Sequence, residues 1–81
     1  MKILTFAWVR TQTSEPEFYY ETKAPTVGAL LDELIENRPR WHGLQSRKGQ
    51  IRCALNQQFV ERDAPLHGAH EIAFFPPVTG G

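Results

Sequence analysis

The chain has 81 residues, 41% of them apolar, enough for one small core and too few for two independently folded units. Nine basic and nine acidic residues cancel, so no global field draws the chain to nucleic acid or an anionic membrane, and small-molecule chemistry or protein contact remains. Cys53 stands alone and cannot close an intrachain bridge, which points to a reducing, cytoplasmic setting. The apolar stretch after Met1-Lys2 ends at Val9, too short for a signal peptide, and no segment is long enough to span a bilayer as a helix.

Residues Lys2 to Val9 are rich in β-branched and aromatic side chains, and Phe18 to Thr22 resembles them. Two paired strands are predicted, joined by a polar turn from Thr11 to Pro16. Pro25-Thr26 opens a helix with Thr26 as N-cap, because Val27, Leu30, Leu31, Leu34 and Ile35 recur at helical spacing. Pro39 stops it, and the region from Pro39 to Arg47 is either irregular or a short second helix. Three strands follow: Gln50 to Leu55, Phe59-Val60 across an Asn56-Gln57 turn, and Glu71 to Phe75 before Pro76-Pro77. The predicted order is ββαβββ.

One substantial helix covers one face of a sheet. Period-two alternation sends Ile3, Thr5 and Ala7 to one face and Leu4, Phe6 and Trp8 to the other, while Ile72 and Phe74 oppose Ala73 and Phe75, so neither face is polar. Two readings stay open for the uncovered apolar side chains: a partner surface, or a core that reaches around the sheet edge under the loop after the helix.

The chain ends in FFPPVTGG. At a Gly frequency of about 7%, a chance Gly-Gly end has a probability of about 0.5%. Pro76 and Pro77 end the last strand and favour a polyproline-type exit, so the six residues from Pro76 to Gly81, extended at roughly 3.1 Å each, reach about 19 Å. Without Cβ atoms at Gly80 and Gly81 this probe fits a narrow channel. The terminal carboxylate is a poor electrophile and needs activation by an ATP-using partner. Adenylation makes the oxygen a leaving group, and a sulfur donor that displaces AMP leaves a thiocarboxylate. That sulfur is soft and ionised at neutral pH, and it attacks an electrophilic carbon when held beside one.

A strand carrying FAWVR, a helix after PT, the segment ALNQQFV and the ending IAFFPPVTGG together resemble the MoaD family, the β-grasp small subunits of molybdopterin synthase within the ubiquitin-like ThiS/MoaD superfamily. The resemblance runs along almost the whole chain, and its FFPPV-x-GG ending is the specific part. It implies an α+β fold, a ubiquitin-like β-grasp with a mixed sheet packed on one main helix and an extended C-terminal tail. Residues 1–75 form the body and 76–81 the tail of one domain.

The resemblance also implies that Gly81 carries the acyl-adenylate and then the thiocarboxylate. Gly80 threads beside it, and Pro76, Pro77, Val78 and Thr79 complete the tail. Phe6, Arg10, Phe59 and Phe75 fall where the family contacts its partners. Those partners are a MoaE-type large subunit that binds cyclic pyranopterin monophosphate and supplies the catalytic groups, a MoeB-type adenylating enzyme that uses ATP, and a sulfur donor such as a cysteine desulfurase system. Two small subunits serve one heterotetramer. No cofactor or metal is expected on this chain, and it is not an enzyme on its own. Two departures stand out. Thr11 replaces a frequent Glu, and Gly68-Ala69-His70-Glu71 replaces Asp-Gly-Asp-Glu, with Gly68 available for a positive-φ position one residue early.

Other residues receive bland readings. His67 and His70 lack a completing ligand set and His42 is remote, so all three are loop histidines. Cys53 alternates with Ile51 and Leu55 as a buried strand thiol. Arg47 and Lys48 form a solvated turn, and Arg38 and Arg40 are read as solvated in preference to a docking role. The competing functions are a protein modifier joined through Gly81 to lysines, a passive β-grasp interaction domain, and a sulfur carrier for thiazole synthesis, whose chains tend to be shorter and lack the double proline.

Overall fold

The structure, a computed structural model, describes residues 1–77. In chain order its elements are β1 (Lys2–Thr5), α1 (Ala7–Thr13), β2 (Glu17–Tyr19), α2 (Val27–Asn37), a 3₁₀ helix (Pro39–Gln50), β3 (Arg52–Leu55), β4 (Gln58–Val60) and β5 (Glu71–Phe75). The five strands form one mixed sheet in the order β2-β1-β5-β3-β4. β1 and β5 are parallel, with Ile3 opposite Ile72, and every other pairing is antiparallel. This is the β-grasp arrangement that the resemblance implies.

One face of the sheet, called inner here, carries the core. α2 buries Val27, Leu30, Leu31, Leu34 and Ile35, the residues its periodicity singled out, and Thr26 caps it by accepting a hydrogen bond from the Ala29 N–H at 3.2 Å. The 3₁₀ helix adds Trp41 and Leu44, both fully buried. Trp41 meets Phe18 and Phe74 edge-on, with ring centroids 6.0 and 5.7 Å apart, so the second helical segment is a wall of the core.

Three expectations need correction. The first strand ends at Thr5, not Val9, and α1 takes Ala7 to Thr13, much of the expected Thr11 to Pro16 turn. The order is therefore βαβα3₁₀βββ and not ββαβββ. Phe6 is still extended and donates its N–H to the Phe74 carbonyl at 3.1 Å, but Ala7 turns the chain at φ +52°. The helix then places Val9 and Thr13, four residues apart, in the core, and this burial overrides the β-branched preference of the segment. The second strand is Glu17–Tyr19, not Phe18 to Thr22, because its partner runs out: Lys2 faces Tyr19, and Tyr20 N–H reaches the Met1 carbonyl. Finally, β3 starts at Arg52 and not Gln50, since Ile51 N–H still bonds the Lys48 carbonyl as the 3₁₀ helix closes.

Two turns behave as their residues dictate. Asn56 and Gln57 have φ +49° and +71°, as a two-residue hairpin loop requires, and Asn56 Oδ1 accepts from the N–H groups of His70 and Glu71 at 2.9 and 3.1 Å. That side chain ties the β3-β4 hairpin to the start of β5. Gly68 supplies the expected positive φ, +77°.

Candidate functional site: the outer sheet face and the root of the tail

The alternation that buries Ile3, Thr5, Ile72 and Phe74 inward sends Leu4, Phe6, Ala73 and Phe75 outward. Register then places Ala54 opposite Ala73, Arg52 opposite Phe75, and Phe59 opposite Ala54. The outer face is thus an apolar band across four strands, with two buried alanines as its floor and phenylalanines standing above. Phe59 is 79% exposed and its ring lies 5.5 Å from that of Phe75, a tilted pair that presents an aromatic ledge. Phe6 is 42% exposed at the other side of β5. Among the described residues the exposed large apolar side chains are Phe6, Tyr19 and Phe59, and all three belong to this face. No core wraps over them, which favours the partner-surface reading of the two left open.

Arg10 is held at the edge of the band. It lies one turn of α1 beyond Phe6, its Nε donates to the Thr5 carbonyl at 2.8 Å, and its guanidinium sits 5.0 Å from the Phe6 ring centroid. α1, absent from the predicted elements, is therefore the device that brings Phe6 and Arg10 together.

The tail leaves β5 through Pro76 and Pro77. Pro77 borders a groove lined by Ile51, Arg52, Cys53, Phe59 and Phe75, among others. The sequence-predicted site residues thus fall in two groups. The structure gathers Phe59, Phe75 and Pro77 at the tail root, with Phe6 and Arg10 across β5. Val78, Thr79, Gly80 and Gly81 lie outside the described residues.

The ThiS family profile matches residues 3–81. The chain belongs to the ThiS family. It is 40% identical to the molybdopterin synthase sulfur carrier subunit of Escherichia coli (strain K12) over 81 residues, all of this chain and 99% of that one. Its identity to the protein of the same name from Haemophilus influenzae is 32%, with the same coverage. Among solved structures, SAMP1 from Haloferax volcanii superposes with a TM-score of 0.74 at 26% identity, covering 99% of this chain and 97% of that one. A putative molybdopterin converting factor, subunit 1, from Pyrococcus furiosus has the same TM-score at 21% identity, with 95% of each chain covered, and shows the shared fold.

In this ThiS-family chain the groove offers no nucleophile of its own. Cys53 is 3% exposed, and burial pushes its thiol up to about 11 from an ordinary 9.0, against the opposing pull of Arg62 and Arg52. It is a packed strand residue, as its alternation predicts. No cluster of three or more His, Cys, Asp or Glu able to hold a metal occurs among the described residues, and no helix there is long and apolar enough to cross a membrane.

The bland readings of the arginines need revision. Arg38 is not a solvated side chain: Nε donates to Glu15 Oε1 at 3.1 Å, Nη2 contacts Glu15 Oε2, and the guanidinium lies 4.0 Å from the Phe18 ring centroid. Arg47 lies 3.7 Å from the Trp8 ring centroid and Lys48 pairs with Asp32, so neither belongs to a free turn. Sequence reasoning also missed Arg52. The signal was available: Arg52 shares the parity of Ala54 along β3, opposite to buried Cys53, so it stands on the outer face beside the tail.

Proposed function

We propose that this chain is the sulfur-carrier small subunit of a molybdopterin synthase. The observation that carries the reading is that its double-proline exit leaves a central strand beside a bare aromatic face, in a chain 40% identical from end to end to a protein named as that subunit. In this reading residues 1–75 are the body and 76–81 the tail. A MoeB-type enzyme directs a Gly81 carboxylate oxygen to the α-phosphorus of ATP and pyrophosphate leaves. A sulfur donor then displaces AMP: sulfide leaves the thiocarboxylate directly, whereas the persulfide of a cysteine desulfurase system forms an acyl disulfide, which a thiol reductant cleaves to the thiocarboxylate.

The large subunit, of MoaE type, takes up the tail in the cytoplasm and binds cyclic pyranopterin monophosphate, whose electrophilic carbon accepts the sulfur. This chain contributes reach and docking: the aromatic ledge and the Phe6–Arg10 edge give a covering protein apolar area and orientation, and fixing the tail root supplies proximity. Catalytic groups and nucleotide binding belong to the partners.

A second reading, a protein modifier joined through Gly81 to lysines, draws on the likeness to SAMP1, small archaeal modifier protein 1. Mass spectrometry separates the two. After incubation with the adenylating enzyme, ATP and a sulfur donor, the carrier gains the mass of one sulfur in place of one oxygen, and deletion of Gly81 abolishes sulfur transfer while the fold and partner binding persist. Lysine-linked conjugates with no sulfur on the free chain would instead establish the modifier.

A further inference from the structure

Two guanidinium groups and one carboxylate, those of Arg52, Arg62 and Glu61, stand around the groove at the tail root. Arg62 is engaged within the molecule, where Nη2 donates to the carbonyls of Lys48 and Ile51. Arg52 is different. It is exposed, faces Phe75 across the β3-β5 ladder, and donates through Nη1 to the Gly49 carbonyl at 3.1 Å. Among the described residues it enters no salt bridge. A protein that covers Phe59 and Phe75 also covers Arg52, and a guanidinium taken out of water without a partner is costly.

We propose that Arg52 is a specificity-determining contact that receives an Asp or Glu side chain of the covering protein, seated in the groove beside Phe75 and Pro77. This rests on the reading that a partner covers the outer face. The fit is electrostatic and geometric. Two positive groups outweigh Glu61, and the planar fork of Arg52 matches a carboxylate with two parallel hydrogen bonds. Gly81 lies four residues past Pro77, a reach of up to about 12 Å at roughly 3.1 Å per residue, so chemistry at the terminus does not require a phosphate beside Arg52.

The test is surface plasmon resonance of the full chain on the large subunit from the same organism, at low and physiological salt, with thermal melts to verify folding. Arg52→Glu is expected to weaken binding by ~10-fold or more, mainly through faster dissociation. Arg52→Gln falls between Arg52→Glu and wild type, and replacing the matching partner carboxylate by Arg restores affinity to Arg52→Glu. Phe75→Ala serves as the reference for the face itself. If Arg52→Glu binds within about twofold of wild type while Phe75→Ala loses binding, Arg52 lies outside the footprint and the proposal is overturned. If both variants bind as wild type, the outer face is not the covered surface, and that reading falls along with the role of Arg52.

Discussion

Ala7 shows how one backbone angle serves the site. At φ +52° it ends the extended run of β1 and starts α1, and this sets Phe6 outward with Arg10 over its ring. The left-handed region costs a Cβ-bearing residue roughly 1–2 kcal/mol, whereas glycine pays about 0.5–1 kcal/mol of extra chain entropy, so relief of strain outweighs the entropy. Ala7→Gly is therefore expected to raise stability by roughly 0.5–1 kcal/mol in urea melts. A drop in the melt midpoint would contradict this account of the turn.

Cys53 yields a pH prediction at the same scale. Its folded pKa of about 11 lies above the ordinary 9.0, so the native state holds its proton after the unfolded chain has lost it. The stability from this thiol is complete below pH 9 and declines as pH rises toward 11, by an amount on the order of 2 kcal/mol. Cys53→Ala should flatten that alkaline decline in melts taken across the same range. A thiol reagent at neutral pH should leave the native chain unmodified and label it once urea is added; fast labelling without urea would refute the buried thiol.

Elements are joined by contacts that no local pattern announces. Glu15, just before β2, accepts from Arg38 at the end of α2 and from the Trp41 Nε1–H at 2.9 Å at the start of the 3₁₀ helix, so one carboxylate joins three elements. The Arg38 hydrogen bond holds the Glu15 carboxyl below its usual 4.5, with help from Trp41 and against the effect of burial. A depressed carboxylate stabilises the fold above pH 4.5 and loses that contribution as pH falls through its folded value. Glu15→Gln should cost about 1–3 kcal/mol at neutral pH and flatten the acid side of the stability profile; an unchanged acid limb would show that another group sets it.

These contacts explain which elements were legible. α2 and β5 announced themselves because periodicity, a capping threonine and a following proline all agree within a few residues. α1 did not, because Phe6-Ala7-Trp8-Val9 is apolar without a break and its helical turn is imposed by Val9 and Thr13 seeking the core. Arg38 resembled an exposed charge because its partner lies 23 residues away. The outer face was half legible. Parity along β1 and β5 gave Phe6 and Phe75, and parity along β3 puts Arg52 on the same face, but its place beside Phe75 needs the register of β3 against β5.

For the molecule as a whole, sheet order is what sets the root of the tail beside the apolar outer face. β5 lies at the centre of the sheet, between β1 and β3, and the aromatic band crosses it, so a protein that grips the band also fixes the root of the tail. The double variant Phe59→Ala/Phe75→Ala should lose partner binding by ~100-fold or more, as for central aromatic anchors, while the thermal midpoint changes little, because Phe59 is exposed and Phe75 is half-buried. Comparable loss of fold and of binding would mean that the band is core and not interface.

The central place of β5 also governs how the body answers tension. A partner that draws on the last residues pulls along a strand hydrogen-bonded on both flanks, one neighbour parallel and the other antiparallel. The ladders are then strained in shear, many bonds at once, whereas an edge strand would peel away one bond at a time. On the proposed reading, a pull on the tail therefore loads the whole sheet and leaves the domain folded.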